Sequence, residues 1–275
     1  MECRGCCHIN KTPIPGKDAG LVNIWSHSAL AAAVSISLGI LPVFGDKLEA
    51  PRHDRRYYES TGEVIWEVPT EQKIVALTFD DGPDPDNTAL ILDLLKQHNA
   101  KATFFAIGEK VSRNPELAKR EAEEGHELAN HTYHHLFLNN RSFGKLEKEI
   151  IETEKVIREA TGQKPTLFRP PGGIYNDRLI ALARQHGYVV VLWSWQHDTR
   201  DWSRPGVGKI VSRVLDHLEN GNIILLHEYV EGGSQTVEAL KTILPELNKR
   251  GYRMVTVSEL VKYKLANPML RDSTP

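Results

Sequence analysis

The sequence predicts an α/β domain built on a mostly parallel sheet, and three observations carry that expectation. Seven short β-branched runs recur from Ile74 to Val257, helical patterns separate most of them, and reactive side chains fall just past their ends. Strands joined through helices run parallel, and parallel α/β folds place their sites beyond the carboxyl ends of the strands. Composition agrees: of 275 residues, 40% are apolar and 25% charged, with 34 basic against 36 acidic and a formal net charge of −2. Those values exclude a disordered polyelectrolyte, a collagen-like repeat and a polytopic membrane protein. Near-neutrality also argues against a dedicated nucleic-acid binder, which would show a basic domain or stripe. The length suits one large domain or two small ones.

The chain begins with its only cysteines, Cys3, Cys6 and Cys7, followed by His8. Four candidate ligands in six residues are too crowded for a zinc finger, whose ligand pairs sit on separated segments. Cys7 also breaks the haem-attachment spacing. The cluster is therefore taken as a tail, and the body, lacking cysteine, must be held by packing rather than disulfides. Ala19 to Gly45 contains no Asp, Glu, Lys or Arg, and Ala29–Gly45 is its most apolar part. This stretch is expected to be a signal peptide or a membrane anchor, so residues 1–45 are assigned to tail and export. Residues 46–71, rich in charge, Pro and Tyr at the start, are expected to be a linker. Within it the strand-like stretch Val64–Val68 is expected to begin the folded body.

The catalytic body is expected over residues 72–264, with 265–275 as a C-terminal tail. Its strand runs are Ile74–Phe79, Ala102–Ile107, Glu127–Ala129, Thr166–Phe168, Val189–Trp193, Ile223–Leu226 and Met254–Val257. Between the second and third, Asn114-Pro115 opens a helix, with proline at its tolerated first position. Between the third and fourth, Leu146, Ile150, Thr153, Ile157 and Ala160 recur at helical spacing, with Ser142 as the expected N-cap and Gly162 as the stop. Periodicity leaves open whether the sheet is open or closed into a barrel.

Past the first strand, Asp80 and Asp81 precede Gly82-Pro83. Two acids at the end of an apolar strand suggest one metal ligand and one carboxylate kept for proton transfer. Past the third strand lie His131 and His135, four apart, so a helical turn would aim both rings at one cation. His134 would then point elsewhere. With Asp81 the pair makes a facial donor set that leaves positions open for water. Past the fourth strand, Arg169-Pro-Pro-Gly172-Gly173 offers a stiff loop whose glycines let backbone N–H groups approach a ligand, and an arginine able to orient a carboxylate. Past the fifth and sixth come Asp201-Trp202 and Leu225-Leu-His227-Glu228, which place a histidine as a general acid near a carboxylate that favours its protonated form.

Taken in order, Thr-Phe-Asp-Asp-Gly-Pro, His-Thr-x-x-His, Arg-Pro-Pro-x-Gly, Asp-Trp and Leu-x-His resemble the motifs of the polysaccharide deacetylases, the NodB-like domains of carbohydrate esterase family four. The resemblance implies a distorted, incomplete TIM-like barrel of about seven parallel strands. It implies Asp80 as base, Asp81, His131 and His135 as ligands of a divalent metal (zinc first, cobalt, nickel or manganese otherwise) and Arg169 as the residue orienting the base. It further implies Gly172 as a backbone oxyanion donor, Asp201 as the group tuning the acid, Trp202 and Leu225 as walls around the acetyl methyl, and His227 as the acid. The implied reaction removes N-acetyl groups from peptidoglycan or chitin-type glycans by metal-activated water, releasing acetate. The alternatives are an O-acetyl xylan esterase and a non-catalytic carbohydrate-binding wall protein. The expected partner is an N-acetylated glycan, with no nucleic acid, a monomeric state, and a secreted or membrane-anchored location through residues 19–45. Two departures stand out: Glu228 where the family more often has Asp, and Gly172 where it often has Tyr.

Overall fold

The structure, a computed structural model, describes residues 50–139 and 142–264. The cysteine tail, the apolar stretch 19–45 and the tail 265–275 lie outside the described residues. Among the described residues no helix is long and apolar enough to cross a membrane.

The first element falls in the stretch expected to be linker and corrects that expectation in part. Helix α1 (Arg55–Thr61) starts where the Asp54 side chain accepts from the Tyr57 N–H and stops at Gly62, whose φ of +73° only glycine adopts without cost. It buries Tyr58, whose hydroxyl donates to Asp177 at 2.7 Å. Strand β1 (Val64–Ile65) follows at once. Charge and tyrosine content suggested an exposed connector, yet buried Tyr58, Val64 and Trp66 and the β1–β6 ladder fold this segment onto the body.

Then come β2 (Ile74–Asp80), α2 (Thr88–Gln97), β3 (Ala102–Ala106), α3 (Gly108–Arg113), α4 (Pro115–Glu123) and β4 (Glu127–Asn130). After them come α5 (Leu146–Thr161), β5 (Leu167–Phe168), α6 (Asp177–Gln185), β6 (Val189–Val191), α7 (Val207–Leu215), β7 (Ile223–His227), α8 (Thr236–Lys249), β8 (Arg253–Met254) and α9 (Val257–Val261). The strands run β1-β6-β5-β4-β3-β2-β7, every ladder parallel, while β8 pairs with the start of β2 at Ile74 and Val75. The two ends of the row meet without a ladder. Val68 N–H donates to Gly221 O at 2.9 Å, Ser194 N–H to Ile223 O at 3.0 Å, and Leu225 N–H to His197 O at 2.9 Å. The result is a distorted, incomplete α/β barrel, as expected.

Strand alternation sorts the side chains. On β2, Val75, Leu77 and Phe79 face outward into a core shared with α2, α7 and α8, and Ile224 and Leu226 of β7 join them. Ile74, Ala76 and Ile223 face inward with Phe105, Ala129 and Val191. By the same period of two, Thr78 and Asp80 of β2 and Leu225 and His227 of β7 share the inner face. Burial on both faces explains why these strands read as unbroken apolar runs until their polar ends.

Two local expectations change. A 3-10 turn at Phe143–Lys145 precedes α5, and the Ser142 hydroxyl donates to Phe137 O rather than capping the helix. The run Met254–Val257 is strand only to Met254, because Thr256 caps α9 by accepting from the Glu259 N–H. Gly162 ends α5 at φ +72°, and Pro115 opens α4, as the sequence indicates.

Candidate active site

Every ladder that ends in a reactive side chain ends on the same rim. Register pairs Asp80 with His227 across β2 and β7, and Thr78 with Leu225 two residues below on the same face. The chain leaves β2 through Asp81, whose φ is +68°, and Gly82. Any side chain at 82 would have to displace the Glu228 carboxyl, because a Cβ there would lie 1.7 Å from Glu228 Oε1. Three consecutive carbonyls of this turn are held by donors: Asp80 O by Glu228 N–H at 2.9 Å, Asp81 O by Lys110 Nζ at 2.7 Å, and Gly82 O by Ile107 N–H at 2.9 Å. A non-glycine residue at positive φ costs on the order of 1 kcal/mol or more and persists only where its surroundings fix it.

The histidine pair does meet, though not on a helical turn. Residues 131–139 are non-helical, with positive φ at Thr132 (+67°) and His135 (+53°). Side chains impose this path. Asn130 Oδ1 accepts from Thr132 N–H, Thr132 Oγ1 from Leu136 N–H, and Glu149 Oε2 from the N–H groups of Tyr133 and His134. His134 also bonds Glu149 through its ring and is largely exposed. The imidazoles of His131 and His135 end 5.1 Å apart, centroid to centroid.

Asp81 Oδ1 lies 3.2 Å from His135 Nε2 and 3.5 Å from His131 Nε2. These three residues form the one His/Cys/Asp/Glu group among the described residues whose candidate ligand atoms converge within 4.8 Å. The group fits a cation on two counts. Asp81 Oδ1 is buried and accepts no hydrogen bond. His131 Nδ1 sits 2.6 Å from Arg169 O, which fixes Nδ1 as the donor and turns the Nε2 lone pair toward Asp81. Ligand atoms about 2.1 Å from a tetrahedral zinc lie about 3.4 Å apart, which the two measured separations bracket. Burial opposes ionisation of Asp81, but the His131, His227 and His135 rings outweigh it and hold the carboxyl well below the usual carboxylate range. Burial and the neighbouring His131 push His135 down, against the pull of Asp81, which favours its neutral ring.

Asp80 is held from inside the barrel. Arg169, fully buried at the end of β5, donates from Nη1 to Asp80 Oδ1 at 2.6 Å and to Thr78 Oγ1 at 2.9 Å. Its Nε and Nη2 donate to Val191 O and Leu192 O, and its guanidinium stacks 3.9 Å from the Phe105 ring. One side of Asp80 is thereby fixed, and Oδ2 faces His131 Nε2 at 3.7 Å.

Opposite, His227 Nδ1 lies 2.7 Å from Asp201 Oδ1, and Asp201 Oδ2 accepts from the His227 N–H at 2.8 Å and from Thr236 Oγ1 at 2.7 Å. Burial alone would lower the His227 pKa. The Asp201 carboxylate, helped by Asp80 and Asp81, pushes it up to about 9. Asp201 is itself lowered against its burial, chiefly by the His227 charge and hydrogen bond.

Of the remaining expected residues, Gly172 is exposed at φ +67° and Trp202 is exposed, whereas Leu225 is buried on the inner face with His227. Phe137 joins this rim, its ring 4.8 Å from that of His135 and 3.1 Å from where a Gly172 Cβ would stand. The structure thus brings Asp80, Asp81, His131, His135, Arg169, Asp201 and His227 together. Sequence reasoning missed Thr78, Lys110, Asn130, Glu149 and Thr236, which hold those groups. Thr78 alone had a signal, since it sits two residues before Asp80 on the same face.

A family model described as polysaccharide deacetylase matches residues 67–191. The chain is 53% identical over 210 residues to a peptidoglycan-N-acetylglucosamine deacetylase of Bacillus cereus, a match covering 76% of this chain and 98% of that protein. It is 40% identical over 198 residues to a chitooligosaccharide deacetylase of a Bradyrhizobium species, covering 68% of this chain and 90% of that one. Its fold superimposes on a peptidoglycan N-acetylglucosamine deacetylase crystallised with 4-naphthalen-1-yl-N-oxidanyl-benzamide. That match has a TM-score of 0.70 and 34% identity, and covers 78% of this chain and 100% of that one.

Proposed function

Because the chain belongs to the polysaccharide deacetylase family, we propose that it hydrolyses the N-acetyl group of amino-sugar residues in a cell-wall glycan, peptidoglycan first and chitin-type oligomers second. The observation that carries this reading is the pairing of a held carboxylate, Asp80, with a protonated histidine, His227, across one strand register beside three convergent donors.

Asp81, His131 and His135 would hold a divalent cation. Two imidazoles and a carboxylate suit zinc first, with cobalt, nickel or manganese as substitutes. Such an ion supplies Lewis acidity, polarising a carbonyl and lowering the pKa of water toward about 7. Asp80, oriented by Arg169, accepts the proton of the attacking water. The exposed Gly172 backbone is available to donate to the oxyanion of the tetrahedral intermediate. His227 then gives its proton to the departing nitrogen, a transfer amide cleavage needs because an amide anion is a poor leaving group. Asp201 compensates the imidazolium until that transfer. Trp202 and Leu225 provide apolar surface beside the acetyl methyl, and the Gly172 position, lacking a tyrosine side chain, leaves Phe137 to shape the groove. The site of action is outside the cytoplasm, delivered by residues 19–45.

Side-by-side acetate release from peptidoglycan, chitooligosaccharide and acetylxylan tests this reading. Release from the two amides, with peptidoglycan the better substrate, is expected. Turnover confined to acetylxylan would make the protein an O-acetyl esterase, and inertness on all three with metal bound would make it a glycan binder.

A further inference from the structure

Behind the active-site turn lie two carboxyl groups that the chemistry above does not use. Glu228, the residue after His227, and Glu121, on α4, both have no exposed surface. Glu228 Oε2 accepts from the Thr88 hydroxyl, which itself accepts from the Asp84 N–H at 2.7 Å. Glu228 Oε1 and both carboxyl oxygens of Glu121 have no hydrogen-bond partner. Two ionised carboxylates sealed together without donors would leave three acceptor oxygens unsatisfied and two like charges unscreened, each a cost of kilocalories. A proton on one of them relieves both problems, because a carboxylic O–H can donate to the other carboxylate.

We infer that Glu121 and Glu228 share one proton as a carboxylic acid–carboxylate pair, and that this pair is a positioning element for the turn carrying Asp80 and Asp81. The geometry ties them directly. The Glu228 carboxyl fills the space a side chain at Gly82 would need, with Oε1 1.7 Å, Cδ 2.1 Å and Oε2 2.6 Å from a Cβ built there. The Glu228 N–H holds Asp80 O. Lys110, which holds Asp81 O, also faces the Glu228 charge. The pair with one proton carries a single negative charge, which the Lys110 ammonium balances. The other groups facing it are Asp84, occupied by the N–H groups of Asp86 and Asn87 and the Asn87 amide, and the Thr88 hydroxyl. Glutamate at 228 is the departure already noted from the family's more frequent aspartate. One methylene less would draw the carboxyl back from the buried pair. Burial raises both carboxyls, and the charge of Glu228 raises Glu121 further.

The sign of the pH effect follows. The folded protein keeps a proton that the unfolded chain releases near a pKa of about 4.3, so stability declines as pH rises from there toward neutrality and beyond. Glu121→Gln substitutes an amide N–H for the shared proton, so Glu228 can ionise without losing its donor.

Three measurements on the full chain test the inference. At neutral pH the infrared spectrum of the metal-free protein should contain a protonated-carboxyl band that disappears in Glu121→Gln. The unfolding midpoint of the wild type should fall more steeply with rising pH than that of Glu121→Gln. Glu121→Ala should weaken zinc affinity and kcat together by about 10–100-fold with KM little changed, and Glu121→Gln should restore most of both. A wild type without that band, or with the same pH slope as Glu121→Gln, would overturn the shared proton. Wild-type zinc affinity and kcat in a folded Glu121→Ala would overturn the positioning role. The positioning claim rests on the catalytic reading above, but the infrared and unfolding readouts need no substrate. An enzyme inert on every glycan would therefore sink that reading while the band still decided the shared proton.

Discussion

A fully buried guanidinium is tolerable only where its N–H groups find acceptors, and Arg169 finds them along two strands: Asp80 and Thr78 on β2, and Val191 and Leu192 on and just after β6. Asp80 therefore cannot swing, and its role as base is open to a clean test. Asp80→Asn keeps the bond from Arg169 and should retain metal while turnover falls by about 100- to 10,000-fold, read as acetate release beside metal content. His227 gives a pH test. Its proton is held to about 9 rather than the ordinary 6.5, so activity should hold across neutrality and fall as pH rises through about 9. The same raised value adds stability that is complete below 6.5 and lost on rising through 9. Asp201→Asn removes the charge that outweighs burial, so the alkaline limb of kcat should move to lower pH. At this scale the reactive residues were legible, because Asp-Asp at a strand end and paired histidines are unusual. Thr236 was not, since a threonine that donates to a carboxylate looks like any other threonine.

Among the elements, β2 was legible because all seven of its residues are buried and most are apolar. The two-residue strands β5 and β8 gave weaker signals, and their boundaries were set by neighbours rather than by their own sequence. The His131–His135 segment shows the limit of spacing arguments. An i, i+4 pair suggested a helical turn, yet bonds from Asn130, Thr132 and Glu149 impose a different path to the same convergence. No sequence pattern announces the Glu149 bonds, which reach back 15 and 16 residues. Gly221 tests the element that closes the row of strands. At φ +83°, with a Cβ destined to stand 1.7 Å from Val68 O, Gly221→Ala should cost about 2 kcal/mol or more. For a chain of this size that is a fall of at least about 4 °C in unfolding midpoint by calorimetry.

For the whole molecule, composition bounded the answer without finding it, and the order of five weak motifs along one chain supplied the rest. Closure of the sheet was beyond periodicity, because it depends on scattered single hydrogen bonds and isolated bridges rather than on a repeating pattern. The absence of cysteine after residue 7 gives a prediction at this scale. A body with no thiol can contain no disulfide, so its unfolding midpoint should not move between reducing and oxidising buffer, as followed by circular dichroism.

The unladdered join between the two ends of the strand row also sets an order of failure. Ser194, His197 and Asp198 run along that join, and the chain passes from them straight to Asp201. Local breathing begins where backbone pairing is sparsest. A fluctuation that parts this seam draws Asp201 away from His227, while Asp81 and His131 follow directly on β2 and β4, which stay laddered to β3, and His135 sits in the turn after β4. The proposed proton donor is thus expected to fail first on mild perturbation, and the proposed cation-binding triad last. A partly opened molecule would still grip its ion and yet leave the amide bond uncut.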